Sequence, residues 1–305
     1  MSDLDLESRV DAPRSKGEVV NALSFDIEDW FHLVDIDSVS NTDDWPGFPS
    51  IVERRTDEIL GICEEHGVRA TFYFLGWIAD RYPKLVRRTA DAGHEIGTHS
   101  YWHRKVCDLD ESIFREDLRR SIAVIEDAGG KKVTSFRAPS FSITPGSEWA
   151  FDVLLDEGLS YDASLFPVPR ENGGYPCPAE PHVFRGAPSG RSMPELPMSL
   201  MNIGPRRVGF SGGGYLRLFP GWMIRRGFDA LHRRSLPGVV YLHPRDLAPD
   251  SPVVPMSRGR HFKSYVGLAG TAAKLRMLLG RYRFSTCGEV LRNHLRPEEK
   301  PCSTS

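Results

Sequence analysis

The chain has no long apolar run, no excess of either charge and little cysteine, and each shortage excludes a class of protein. No stretch of about 18 apolar residues occurs, so no membrane insertion is expected. The first residues, Met1 to Lys16, are polar and acidic. They lack the apolar segment behind a basic start that marks a signal peptide, so the expected location is the cytoplasm. Lys and Arg total 39 against 41 for Asp and Glu, a net charge of −2. No overall basic field exists to draw the chain onto nucleic acid or anionic lipid. The five cysteines, Cys63, Cys107, Cys177, Cys287 and Cys302, form no CxxC pair and are odd in number. That argues against a disulfide framework or a thiolate zinc site and leaves free thiols, which suit a reducing compartment.

What is present fits a globular fold. At 305 residues, with 40% hydrophobic and 26% charged residues, the chain can bury one large core. After a polar tail at 1–17, Val19 to Phe25 reads as a buried strand and Ile51 to His66 as a helix ending at Gly67. Ala70 to Leu75 is β-branched and aromatic, a strand, and Pro83 to Ala92 is a helix between Pro and Gly93. Further strands are expected at His94 to Thr98, Val133 to Arg137, Leu159 to Ala163, Val239 to His243 and Tyr282 to Thr286. Helices are expected at Glu111 to Ala128, Glu148 to Glu157, Thr271 to Leu279 and from Gly288 onward.

Strand then helix, repeated about seven times, points to a parallel α/β fold. A closed or nearly closed barrel suits it better than an open sheet, because the suspected reactive residues fall at the ends of several different strands. Pro167 to Pro220, rich in Pro and Gly, breaks the rhythm and is expected to form irregular loops with short extra strands such as Met193 to Leu196. A single domain is expected over 18–296, completed by the region 167–292, with a flexible tail at 297–305.

Two clusters carry chemistry. The first is SFDIED, Ser24 to Asp29, three carboxylates just past a buried strand, which are costly there unless exposed, paired or bound to a metal. The second is GHEIGTHSYWH, Gly93 to His103. His99 and His103 stand at i, i+4, a spacing that predicts one side of a helical turn within reach of one cation. Two histidines and a carboxylate form a facial set that leaves positions open for water and substrate. His94 falls on the other side of the short strand, as a hydrogen-bonding core or rim residue. On a regular strand Glu28 shares a face with Asp26; if the strand bulges, Asp29 takes that place, and both remain open as third ligand.

In this order the clusters resemble the first two motifs of the NodB-type polysaccharide deacetylases, carbohydrate esterase family four. Phe136-Arg137-Ala138-Pro139, Tyr161-Asp162-Ala163-Ser164 and Tyr241-Leu242-His243-Pro244 resemble the family's remaining motifs. Gly212 to Pro220 and Arg281 to Leu291 are similar to stretches of the subgroup associated with exopolysaccharide and exosortase systems, a branch related to peptidoglycan deacetylases and allantoinase-like proteins. The resemblance implies a distorted (β/α)7 barrel and metal-dependent hydrolysis of an N-acetyl amide in a polysaccharide or its precursor, with release of acetate. The implied cofactor is a divalent metal, zinc or else cobalt or nickel, held by His99, His103 and Glu28 or Asp29. It further implies Asp26 as base, Arg137 as its partner, His243 as acid and Asp162 as the group orienting His243. The implied partner is an N-acetylated saccharide, with the oligomeric state open. Alternatives with the same motifs are hydrolysis of a ureide or formamido sugar, or glycan binding without turnover.

Aromatic residues near the motifs, Trp30, Phe31, Trp77, Trp102, Tyr215 and Trp222, could stack on sugar rings; Trp30, directly after the carboxylates, is the favoured one. Gly212-Gly213-Gly214 lacks the GxxxxGK pattern and an expected strand–helix setting, which argues against nucleotide binding.

Overall fold

The computed structural model describes residues 19–171 and 173–295. The expected tails therefore lie outside the described residues. The first half of the chain gives β1 (Val20–Ile27), α1 (Val52–Glu65), β2 (Thr71–Phe74), α2 (Gly76–Arg81), α3 (Pro83–Asp91), β3 (Glu95–Thr98) and α4 (Glu111–Gly129). Next come β4 (Ser135–Phe136), α5 (Trp149–Asp156), β5 (Tyr161–Asp162), β6 (His182–Phe184) and β7 (Met193–Glu195). The remainder comprises a hairpin of β8 (Leu200–Ile203) and β9 (Arg206–Gly209), then α6 (Gly213–Leu218), α7 (Gly221–His232) and β10 (Val239–Leu242). It closes with α8 (Arg258–Tyr265), α9 (Thr271–Leu279), β11 (Arg283–Ser285) and α10 (Cys287–Leu295).

Seven strands run parallel in the order β10-β1-β2-β3-β4-β5-β7, a curled half-barrel matching the expected distorted (β/α)7 class. β6 adds an antiparallel edge to β7, and β11 pairs with the start of β1. β1 is buried from Asn21 onward, as a parallel strand covered on both faces must be. Its period of two sorts the side chains. Leu23, Phe25 and Ile27 join the outer core with the helices, whereas Ala22 joins the inner core with Tyr73, Tyr161 and Tyr241. Ser24 and Asp26 share the inner face, so the barrel's interior turns polar toward the strand's C-terminal end.

Local signals stop and start the helices where expected. Asp110 caps α4 by accepting from the Ile113 N–H at 2.9 Å, and Gly130 ends it with a left-handed φ of 66°. Two elements differ in extent: β4 and β5 each keep only two residues. The interval 167–220 is more ordered than expected, holding β6 to β9 and α6.

Candidate active site

A cavity of about 200 Å³ opens at the C-terminal ends of β1, β3 and β10. Glu28, His99 and His103 line it, and each offers a ligand atom within 4.8 Å of the others. Nδ1 of His99 lies 2.7 Å from the Arg137 carbonyl, which can only accept, so Nδ1 carries the hydrogen and Nε2 keeps its lone pair. Burial, opposed by Asp26, lowers the His99 pKa to about 4, so the ring stays neutral as a metal ligand must. Burial alone would raise the Glu28 carboxyl, but His103 and His243 hold it well below the usual carboxylate range. Its Oε2 is 2.5 Å from Nε2 of His103, buried, and without hydrogen-bond geometry to any donor. Two imidazoles and a carboxylate that converge without satisfying one another fit a shared divalent cation.

His99 and His103 do not share the helical turn that their spacing predicts. Ser100 and His103 have φ of 66° and 55°, so the chain loops instead of winding. Asp117 of α4 pins this loop, accepting from the N–H of Tyr101 at 2.6 Å and of Trp102 at 3.2 Å. Ser140 and Phe141, which also line the cavity, have φ of 56° and 58°. Left-handed backbone at residues with a Cβ is costly, and its concentration around this cavity marks it as a built site. Gly97 of β3 meets a different demand, since a Cβ there would lie 2.6 Å from the Tyr73 ring.

Asp29 faces away from the cluster. Its carboxylate accepts from Ser50 Oγ at 2.5 Å and from the N–H groups of Trp30, Ile51 and Val52, tying the end of β1 to the start of α1. Burial raises its pKa against these bonds. It therefore lies outside the ligand set, and neither histidine depends on it. Its backbone N–H donates to Nδ1 of His32 at 2.8 Å, so this neutral ring carries its hydrogen on Nε2. His32 lines the cavity, and that tautomer excludes it as a ligand through Nε2.

The residues expected as base and acid, Asp26 and His243, sit beside the cluster. Arg137, fully buried, donates from Nη1 to Asp26 Oδ1 and to Ser24 Oγ, both at 2.8 Å, and from Nε to the Ala163 carbonyl. His243 brings Nε2 to 3.8 Å from Asp26 and 3.7 Å from Glu28. Nδ1 of His243 is bonded to Asp246 at 2.8 Å, and Asp246 also pairs with Arg217 at 2.8 Å. Burial alone would lower the His243 pKa; the carboxylates of Asp246 and Glu28 outweigh it and bring the pKa to about 9.

Asp162 does not orient His243. It accepts from Ser164 N–H and Oγ at 2.9 and 2.7 Å and stands in register with Glu195 of β7. Burial raises both carboxyls, and the charge of Asp162 raises Glu195 further. Asp246 takes the orienting place. Its sequence signal is His243-Pro244-Arg245-Asp246, a capping box in which the Asp side chain also accepts from the His243 N–H.

Trp30 is likewise displaced from its expected place. It is 7% exposed, donates to the Pro49 carbonyl and packs on Phe31 and Phe48, as a core residue. His94 accepts from the Ala70 N–H and stacks near Phe72 in the core. Gly212 does lie between a strand, β9, and a helix, α6, which begins with Gly213 and Gly214, contrary to expectation. A Cβ at Gly212 would collide with the Tyr241 ring, so packing explains the glycine.

Residues 38–150 match the polysaccharide deacetylase family, and residues 163–292 match a domain of unknown function, DUF3473. Residues 38–150 thus carry a polysaccharide deacetylase domain of the NodB type. It is 28% identical over 119 residues to the peptidoglycan-N-acetylglucosamine deacetylase of Bacillus cereus, covering 35% of this chain and 43% of that protein. It is 33% identical over 114 residues to the chitooligosaccharide deacetylase of Rhizobium leguminosarum, covering 37% and 48% respectively. The aligned part thus spans less than half the length of each of these relatives. A solved structure from Mycobacterium smegmatis, assigned to the polysaccharide deacetylases, shares the fold with a TM-score of 0.62, 20% identity and 92% coverage of both chains. Asp26 precedes the stretch matched to the deacetylase family. Arg137, His99 and His103 lie within it, while His243 and Asp246 fall in the second segment. Among the described residues no helix is long and apolar enough to cross a membrane.

Proposed function

We propose that this chain hydrolyses the N-acetyl amide of an amino sugar in a polysaccharide or its precursor, in the cytoplasm, for exopolysaccharide biosynthesis. One observation carries the reading: a convergent Glu28–His99–His103 set shares a cavity with an Arg137-held carboxylate and an Asp246-held imidazole. The similarity of Gly212 to Pro220 and Arg281 to Leu291 to the exopolysaccharide subgroup supports the biosynthetic role. Residues 18–296 act together as one catalytic unit, since strands of both matched segments pair in one sheet.

Glu28, His99 and His103 would hold the ion, zinc by preference. When bound, it supplies Lewis acidity toward the amide carbonyl and acidifies water at neutral pH. Asp26, aimed by its bond from Arg137, takes the proton of the attacking water. His243, whose Nδ1–H donates to Asp246, presents its Nε2–H to the departing amine. The deciding experiment is acetate release from a panel of free and lipid-linked N-acetylated oligosaccharides, with a ureide and a formamido sugar alongside. Acetate should appear, vanish after chelation and return with zinc. Hydrolysis of the ureide or formamido sugar alone, read from its own products, or acetate from nothing in the panel, would refute the assignment.

A further inference from the structure

Two guanidinium groups of the cavity lack an ion-pair partner among the described residues, although Arg170 bonds to Tyr241 and the charge of Asp246 acts on Arg245. Of the cavity's three carboxylates, Asp26 is paired with Arg137 at 2.8 Å and Asp246 with Arg217 and His243, both at 2.8 Å, while Glu28 converges with His99 and His103 on the candidate cation site. Arg170 and Arg245 line the same cavity, and among the described residues neither forms an ion pair with a carboxylate. Arg245 is 7% exposed; its Nε is buried without a partner, and its Nη2 reaches only the Ser264 carbonyl at 3.3 Å. Arg170 is clamped between rings, its guanidinium 4.4 Å from the centre of Phe166 and 5.2 Å from that of Phe141, with Nη1 buried and unpartnered.

A guanidinium withdrawn from water with open N–H groups is costly, and each of these two keeps at least one buried N–H without a partner. The aromatic clamp fixes the direction of Arg170, as a binding group needs and a solvated surface arginine does not. The planar fork of Arg matches carboxylate and phosphate oxygens.

Building on the deacetylase reading, we propose that Arg170 and Arg245 bind an anionic substituent, a carboxylate or a phosphate ester, on the amino-sugar substrate. Both residues belong to the segment matched to the domain of unknown function, which thereby contributes substrate selection to a site whose metal ligands lie outside it.

The test uses the zinc-loaded full chain and three matched disaccharides of N-acetylglucosamine: neutral, uronate-bearing and 1-phosphorylated. KM for at least one anionic substrate should lie about 10–100-fold below that for the neutral one, the size of a charged hydrogen bond. Arg170→Gln should remove that advantage while leaving KM for the neutral substrate within about twofold, and Arg170→Lys should restore part of it. The uronate and phosphate arms identify the anion. A wild type without preference, or an Arg170→Gln variant impaired equally on neutral and anionic substrates, overturns the proposal; the latter result is also what a role in binding released acetate would give. Calorimetric binding of N-acetylglucosamine 1-phosphate against N-acetylglucosamine keeps the two readings apart. Selective, Arg170-dependent binding without acetate release from any substrate would refute the deacetylase reading alone. Acetate release without selective binding would refute the anion site alone.

Discussion

Replacing Asp29 with Asn should destabilise the protein without emptying the metal site, and replacing Glu28 with Gln should do the reverse. Four donors converge on the Asp29 carboxylate: Ser50 Oγ and the N–H groups of Trp30, Ile51 and Val52. A hydrogen bond to a charged acceptor contributes about 1.5–3 kcal/mol. Asn keeps one acceptor oxygen but turns an NH2 toward N–H groups, so about two of the four are lost. Because burial already raises the Asp29 carboxyl, we take the lower part of that range, about 3–4 kcal/mol for the two bonds. At about 2–3 °C per kcal/mol for a domain of this size, Tm should fall by roughly 6–12 °C. Glu28→Gln removes a ligand oxygen and the contact with His103 but none of the backbone ties, so the Tm of metal-free protein should fall by clearly less than in Asp29→Asn. The assay combines calorimetry of metal-free protein with elemental analysis after dialysis against a weak chelator. Asp29→Asn that loses its metal at unchanged Tm, or Glu28→Gln that retains it fully, would refute the placement.

Asp26→Asn should keep the metal and fold but lose turnover by about 10²–10⁴-fold; a loss under about tenfold would move the base elsewhere. The alkaline limb of the pH–rate profile should follow His243, whose raised pKa of about 9 means that the proton is present below that pH and lost above it. Asp246→Asn removes the largest stabiliser of the imidazolium, so the limb should shift toward acid; an unmoved limb would assign the acid to another group. Asp162→Asn should leave the limb in place, because Asp162 is bonded to Ser164 and Glu195 instead.

The barrel was legible because buried strands and capped helices follow one another with little ambiguity. The later helices were hidden among prolines and glycines, although α7 carries a readable pattern, with Ile224, Gly227, Phe228 and Leu231 buried at i, i+3, i+4 and i+7. Asp26, Arg137, His99, His103 and His243 could be selected because their side chains have few bland uses beside a buried strand. Glu28 and Asp29 could not be separated, since the distinction depends on where α1 begins in space. Asp246 was missed for a similar reason: its competitor Asp162 sat in a motif of familiar form, and only the tertiary structure shows which carboxylate reaches Nδ1 of His243. The loop conformation at His99 to His103 required left-handed residues that no spacing rule anticipates.

β1 carries Asp26, yet its neighbours β10 and β11 arrive more than two hundred residues later; the Asn21 side chain bonds to the Arg283 carbonyl across 262 positions. During synthesis the strand that carries Asp26 pairs first with β2 and must wait for β10 on its other flank and for β11 at its start. Closing so distant a contact is slow, and the waiting edge is open to wrong partners. A chain clipped before Tyr282 would keep β10 beside Ala22 to Phe25 but lose β11, taking away the pairing of Val20 to Ala22 and the bond from the Asn21 side chain to the Arg283 carbonyl.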